Sequence, residues 1–282
     1  MKIELNTDFK VPIWRFFYTK NSYKIPWAFE DCGIKYRNYI SIICLAWCAE
    51  SNFIHDKNYL SEDEIINKYT ANHVICFPTQ KGVEMCRKLR PRLNPCLASH
   101  NAFIDENLYK TDLNQQIKHD MFVSSSFASY KNLHLLKNIK NVIGVGYGFG
   151  PHYNNFHPKN VKIINFTDKK NECNHEKKRI QTNYRNLSPP EMIKLINSSK
   201  IGGIFSTCEG SCFSSGEYLL CGIPVLSCKC TGGRETFYNS ENSEQCEPNK
   251  KSVKNALTKM LIKYDNGEYN RELIRNNHIK IL

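Results

Sequence analysis

Two glutamates, Glu209 and Glu217, flank a polar stretch, Gly210-Ser211-Cys212-Phe213-Ser214, that leads from a buried apolar segment, Ile201 to Ser206, into a short helical pattern. A loop feeding a helix N-terminus presents backbone N–H groups and the positive end of the helix dipole, and together these suit an anion such as a phosphate. Carboxylates beside such a cradle repel the phosphate itself. Their natural partners are hydroxyl groups attached to it, on a sugar or a ribose. Two acids at this spacing are by themselves most often solvated surface groups, so their meaning rests on the elements around them.

Those elements alternate. Phe122 to Ser125 reads as a strand, Tyr130 to Lys140 as a helix with Leu133, Leu136 and Ile139 in period, and Asn141 to Gly146 as a strand entering a Gly-rich loop. Val161 to Phe166 reads as a further strand, and Ser188-Pro-Pro-Glu191 is a capping box with proline at the first helical position. Ile201 to Ser206 is the next strand. The segment Ser214 to Cys221 is a helix stopped by Gly222, Ile223 to Ser227 is a strand, and Ser252 caps a final helix with Val253, Ala256, Leu257, Met260 and Leu261 along one stripe. Strand–helix alternation of this kind predicts a parallel sheet of the Rossmann type, with ligands at the carboxyl ends of its strands.

Before this region the pattern is weaker. Ser61-Glu-Asp-Glu64 is a second capping box opening a helix to about Tyr69, His73 to Phe77 and Pro95 to Ser99 are strand-like, and Val83 to Leu93 is helical until Pro91 interrupts it. The expected boundary separates residues 1–117 from residues 118–282.

Composition bounds the reading. The chain has 282 residues, 41% hydrophobic and 23% charged, which excludes a disordered chain and suits one large or two modest globular domains. Its longest apolar run, Tyr39 to Ala49, is too short to span a bilayer, and the first residues lack a signal-peptide apolar region. The thirteen cysteines are odd in number and mostly embedded in apolar segments, which predicts reduced thiols in a cytoplasmic protein. Cys208, Cys212, Cys221, Cys228 and Cys230 have the spacing of no zinc ribbon or finger, so no metal site is expected. The net charge of +12 would suit an anionic ligand and leaves peripheral contact with an anionic membrane open. Lysines interspersed with acids, without a basic arm, argue against a nucleic-acid partner. Gly144-Val-Gly-Tyr-Gly-Phe-Gly150 lacks dinucleotide-loop spacing and reads as structural turn residues.

Glu209 and Glu217 together resemble the E-x7-E element of retaining glycosyltransferases of the GT-B fold, in the group 1 or family 4 lineage. Around them, Cys221-Gly-Ile-Pro-Val-Leu-Ser227 is similar to that family's Gly-Leu-Pro-Val segment, Gly232-Gly-Arg-Glu-Thr-Phe237 to its Gly-Gly loop, and Glu247-Pro-Asn249 to the segment opening its next helix. Tyr184 to Glu191 resembles the stretch lying over the nucleotide base, and His100-Asn-Ala-Phe-Ile-Asp105 with Leu108 and Tyr109 resembles, less closely, the turn that ends the N-terminal domain.

The resemblance implies two Rossmann-like domains, the first abbreviated, closing over a nucleotide diphosphate sugar. It implies that Glu209 contacts donor-sugar hydroxyls, that the N–H groups of Gly210, Ser211, Cys212, Phe213 and Ser214 hold the diphosphate, that Glu217 holds the ribose, and that Arg185, Asn186 and Leu187 face the base. A hexose would pass, with retention and without metal or other cofactor, to a hydroxyl of a glycan, lipid or protein acceptor. The family's Arg and, five positions later, Lys against the diphosphate fall here on Ser126 and Lys131; the lysine is kept and the arginine is not. Loss of such a charge-assisted contact costs about 1.5–3 kcal/mol. Lys137 and Arg234 are the bases that stand to compensate. His55, in Asn52-Phe-Ile-His-Asp56, is the candidate for the family's N-terminal catalytic histidine, with His100 behind it. The substitution at Ser126 and the short first domain motivate the rival expectation, a non-catalytic module that only binds the nucleotide sugar.

Overall fold

The computed structural model of the chain describes residues 13–16, 41–45, 73–147, 160–164, 187–207 and 209–282. His55, Arg185, Asn186, Cys208 and the capping box at Ser61 lie outside these residues. The chain divides into two compact units: Met1–Ala102 with Glu209–Ser211 and Thr231–Thr236, and Phe103–Cys208 with Cys212–Cys230 and Phe237–Leu282. Residues 103–117, expected with the first domain, thus group with the second unit.

In the first unit β1 (Ile13–Phe16), β2 (Ser41–Leu45), β3 (His73–Phe77) and β4 (Pro95–Leu97) pair in that order, all parallel. Helix α1 (Gln80–Leu89) starts three residues before the expected Val83, because Thr79 is the N-cap and its side chain accepts from Gly82 N. It buries Val83 and Cys86 and ends as the chain approaches Pro91, whose ring disfavours helical backbone in the residue before it.

The second unit holds β5 (His119–Ser126), β6 (Val142–Tyr147), β7 (Lys162–Ile163), β8 (Ser199–Ile204), β9 (Val225–Cys228) and β10 (Ser243–Cys246). All pairs are parallel, and the order from one edge is β7-β6-β5-β8-β9-β10. This is the doubly wound Rossmann order, in which strand order reverses between the first and fourth strands, here β5 and β8. The central strands carry Met121, Phe122, Val123, Ile201, Val225 and Leu226 inward, and each is nearly or fully buried, as strands covered on both faces must be. Among the described residues the unit also holds helices α2 (Pro189–Asn197), α3 (Phe213–Leu220), α4 (Lys250–Asp265) and α5 (Arg271–Ile281).

Two expectations are corrected by the structure, and one helix has no expected counterpart. Tyr130 to Lys140 is not a helix but two short 3-10 turns, Ser129–Lys131 and Leu133–Leu136, parted by Asn132 in the left-handed region at φ 54°. Its amide is drawn off to donate to the Phe205 carbonyl, 3.1 Å away, so the leucines are buried without helical periodicity. Asn249, not Ser252, caps α4: its Oδ1 accepts from Ser252 N while the Ser252 hydroxyl accepts from Glu247 N. Helix α5 has no counterpart in the sequence reading, because its inner face carries Arg271 and His278 among its buried residues and breaks the apolar stripe.

His278 is fully buried, its ring edge against Phe237 and both ring nitrogens without a hydrogen-bond partner. Burial lowers its pKa from 6.5 to about 4. Above pH 6.5 both folded and unfolded chains hold it neutral. As the pH falls from there toward 4, only the unfolded chain takes up the proton, so stability is lost across this window, by about 3 kcal/mol in total. Chemical denaturation at a series of pH values should therefore show the wild type losing more stability than His278→Leu over this interval; parallel curves would refute it.

Candidate functional site

The carboxyl ends of β5 and β8, where the strand order reverses, are where the second unit's fold puts a ligand. From β8 the chain runs through residues 205–212 into α3, so the helix that carries Glu217 begins at this switch point. Its N-cap, Cys212, is extended and makes no side-chain capping bond, so no side-chain oxygen of the cap competes for the first-turn N–H groups. Phe213 and Ser214 open the helix, and the Ser214 hydroxyl donates to the Ser124 carbonyl at the end of β5.

Tyr218 fixes the helix against the sheet. Its ring lies so close to Gly202 that a Cβ there would sit 2.2 Å from a ring carbon, and its edge packs on Phe122 with ring centroids 5.7 Å apart. Its hydroxyl accepts from Ser124 N at 2.7 Å, tying α3 to the end of β5. Only a glycine in β8 lets the helix approach this closely.

Glu217, one residue before Tyr218, accepts from the Tyr109 hydroxyl through Oε1 at 2.9 Å. Burial and the glutamate's charge push the Tyr109 phenol well above its ordinary pKa, so it serves as a donor. Tyr109 is held in turn by its own backbone, whose carbonyl accepts from Arg275 Nη1. The same guanidinium donates to the carbonyls of Leu220, at the end of α3, and of Glu106. One turn earlier on α5, Arg271 donates to the Cys221 carbonyl and to Asn197 Oδ1. Asn197, 1% exposed, also accepts from Asp112 N and donates to the carbonyls of Lys110 and Ile193. Although Asn197-Ser-Ser matches a glycosylation sequon, this amide is fully engaged inside the fold.

Ser126 is the last residue of β5, and Lys131 follows it in the next turn. Lys131 is 8% exposed, in the turn that follows β5, with its ammonium 5.2 Å from the Tyr130 ring centre. The Ser126 hydroxyl is buried and has no hydrogen-bond partner. Lys137 is exposed at the end of the second turn. Leu187 precedes the Ser188 cap of α2, where Glu191 Oε2 accepts from both the Ser188 N–H and hydroxyl.

In the first unit, Glu209 N donates to the Thr231 carbonyl, and Gly232, at φ 131°, lies so close that a Cβ would fall 2.4 Å from the Glu209 carbonyl oxygen. The two loops run back to back, which brings Arg234 to Glu209: Nη1 stands 3.5 Å from Oε2. Arg234 is fully buried and Glu209 only partly so. Gly210 is buried, and the Ser211 hydroxyl, on a residue 1% exposed, has no partner. The Gly-Gly-Arg segment and Tyr109 are visible in the sequence, but the pairing of Arg234 with Glu209 and of Tyr109 with Glu217 is not, because a buried arginine and a long-range phenol bond leave no local pattern.

Among the described residues no three His, Cys, Asp or Glu side chains gather as a metal site would require, and no helix is long and apolar enough to cross a membrane.

Comparison with known proteins gives the fold. The chain is similar to the sucrose-phosphate synthase of Thermosynechococcus elongatus, with a TM-score of 0.60 and 11% identity over 96% of this chain and 69% of the other. Similar too are TarM, with a TM-score of 0.58 and 14% identity over 96% and 51%, and Anabaena HepE, solved with UDP, at 0.54 and 15% over 86% and 67%. The chain thus spans about half the length of TarM and about two thirds of the other two. No family model matches the sequence, and a search of curated proteins gives no match. The fold is α/β of the GT-B type, as the sequence resemblance implies.

Tyr109→Phe removes the phenol donor to Glu217 and keeps the ring. It should lower the stability of the chain in denaturant unfolding by about 1.5 kcal/mol, the low end for a bond to a charged group because the pair is only partly buried. An unchanged midpoint would show that the bond contributes nothing.

Proposed function

We propose that the protein is a retaining glycosyltransferase that moves a hexose from a nucleotide diphosphate sugar to a hydroxyl of a glycan, lipid or protein acceptor. The observation that carries the reading is the start of α3 at the switch point, with no side-chain cap and with Glu209 before it and Glu217 within it. HepE, of similar fold, has been solved with UDP, with UDP and glucose, and with UDP-glucose.

In this reading Gly210, Ser211, Cys212, Phe213 and Ser214 hold the diphosphate through backbone N–H groups and Lys131 supplies a fixed positive charge beside it. Negative charge builds on the diphosphate as the glycosidic bond breaks, so donors aimed there stabilise the transition state more than the bound substrate. Glu217, braced by Tyr109, takes the ribose hydroxyls. Glu209, oriented by Arg234, takes hydroxyls of the sugar. The acceptor attacks on the face from which the diphosphate leaves, so the anomeric configuration is kept. Arg185, Asn186 and Leu187 are assigned to the base and His55 to the acceptor side.

A second reading has Ser126 behind it. With the arginine of the family pattern replaced by serine, and Arg234 engaged by Glu209, the diphosphate has one cation fewer, which suits a module that binds the nucleotide sugar without turnover.

A thermal-shift panel of nucleotides and nucleotide sugars tests the shared part of both readings, since a ligand at a hundred times its Kd stabilises by about 2.7 kcal/mol. A shift with a nucleotide diphosphate is expected, and none with any member would end both. Transfer and donor-hydrolysis assays then separate them. Glu209→Gln should cut turnover about a hundredfold with nucleotide affinity nearly intact, while Glu217→Gln should weaken the nucleotide itself by about tenfold or more. Equal, unimpaired turnover in both variants would remove the site assignment. Turnover is expected to survive a strong chelator, because the resemblance implies metal-independent chemistry and the sequence has no Asp-x-Asp element.

A further inference from the structure

The cysteines are not scattered at random in the sheets. Cys76 of β3 faces Cys96 of β4 in register, and Cys228 of β9 faces Cys246 of β10 in register. Adjacent strands lie about 4.8 Å apart, inside the roughly 4.4–6.8 Å Cα separation that a disulfide bridges. For the first pair the side chains meet as well: the two Sγ atoms are 3.5 Å apart and share an S–H···S bond. What separates the pairs is access. Cys228 and Cys246 are both buried, whereas Cys96 is partly exposed on the short strand β4 over a buried Cys76.

We propose that Cys76 and Cys96 form a hydroperoxide-reactive dithiol, with Cys96 as the attacking thiol and Cys76 as the thiol that resolves it to an intramolecular disulfide. The bond from Cys76 holds the Cys96 thiol down at about 7, so a large fraction is thiolate at neutral pH. Cys246 is also lowered by its bond from Cys228, so a lowered thiol alone does not set the first pair apart; the exposure of Cys96 does.

The step balances with a hydroperoxide as the oxidant. The Cys96 thiolate attacks the peroxide, forming an S–O bond as the O–O bond breaks; with hydrogen peroxide the leaving hydroxide takes a proton from solvent, leaving a sulfenic acid. The Cys76 sulfur then attacks Cys96 Sγ, the S–S bond forms, the S–O bond breaks, and the hydroxyl leaves as water with the Cys76 proton. Two thiols are oxidised and one peroxide is reduced to two waters.

The full-length chain, fully reduced and then treated with graded hydrogen peroxide, is alkylated and mapped by non-reducing peptide mass spectrometry. The expected product is a 76–96 linked peptide at doses that leave Cys228 and Cys246 alkylated. In Cys76→Ser a dimedone adduct should appear on Cys96, and in Cys96→Ser none on Cys76. A link between Cys76 and Cys44, which lies in register on its other side, in place of the 76–96 link would overturn the proposal. So would a 228–246 link at the same dose, or Cys96 passing to sulfinic acid with Cys76 still reduced. The wild-type mapping decides these outcomes even if a variant does not fold.

Discussion

The carboxyl end of α3 is where the second unit is held together. A helix of eight residues leaves most of its last carbonyls without intrahelical partners, and here two guanidiniums one turn apart on α5 meet them, Arg275 at Leu220 and Arg271 at Cys221. Positive charge at this end also complements the helix dipole. Arg275 also donates to the carbonyls of Glu106 and Tyr109, and Arg271 reaches Lys110 and Asp112 through Asn197, so the segment that presents Tyr109, the helix that presents Glu217 and α5 share one set of bonds. Glu217 therefore gets its orientation from both directions: through Tyr218 from the sheet, and through Tyr109 from α5.

Glu209 depends on a different constraint, which is steric. Its backbone is packed against Gly232, where any side chain would collide with the Glu209 carbonyl, and only then does Arg234 come within reach of the carboxylate. A buried guanidinium beside a partly exposed carboxylate is costly to leave unpaired. The pair thus narrows the positions Glu209 can take.

How much of this was legible depends on how local the cause is. The capping box at Ser188, the stop at Gly222 with its positive φ, the buried strand near Ile201 and the helix between Glu209 and Cys221 are set by neighbours in sequence, and they read correctly to within a few residues. The leucines after Tyr130 misled because burial alone gave them a helical look, while Asn132 turned the chain through the left-handed region to bond Phe205. Helix α5 was invisible for the opposite reason: Arg271 and His278 sit on its buried face, and an arginine that caps another helix carries no apolar signal. The pairs that orient the two glutamates, 25 and 108 residues apart in sequence, could not be read at all without the fold.

The same reach has a bearing on synthesis. The Glu106 carbonyl meets its guanidinium partner 169 residues downstream, and Asn197 waits 74 residues for Arg271. A chain emerging from the ribosome can lay down β5 to β10 while the end of α3 and the turn before Tyr109 still lack their donors. Until Arg271 and Arg275 have left the exit tunnel, that seam is open to water and to chaperones, so the sheet can form before the bonds that close its seam.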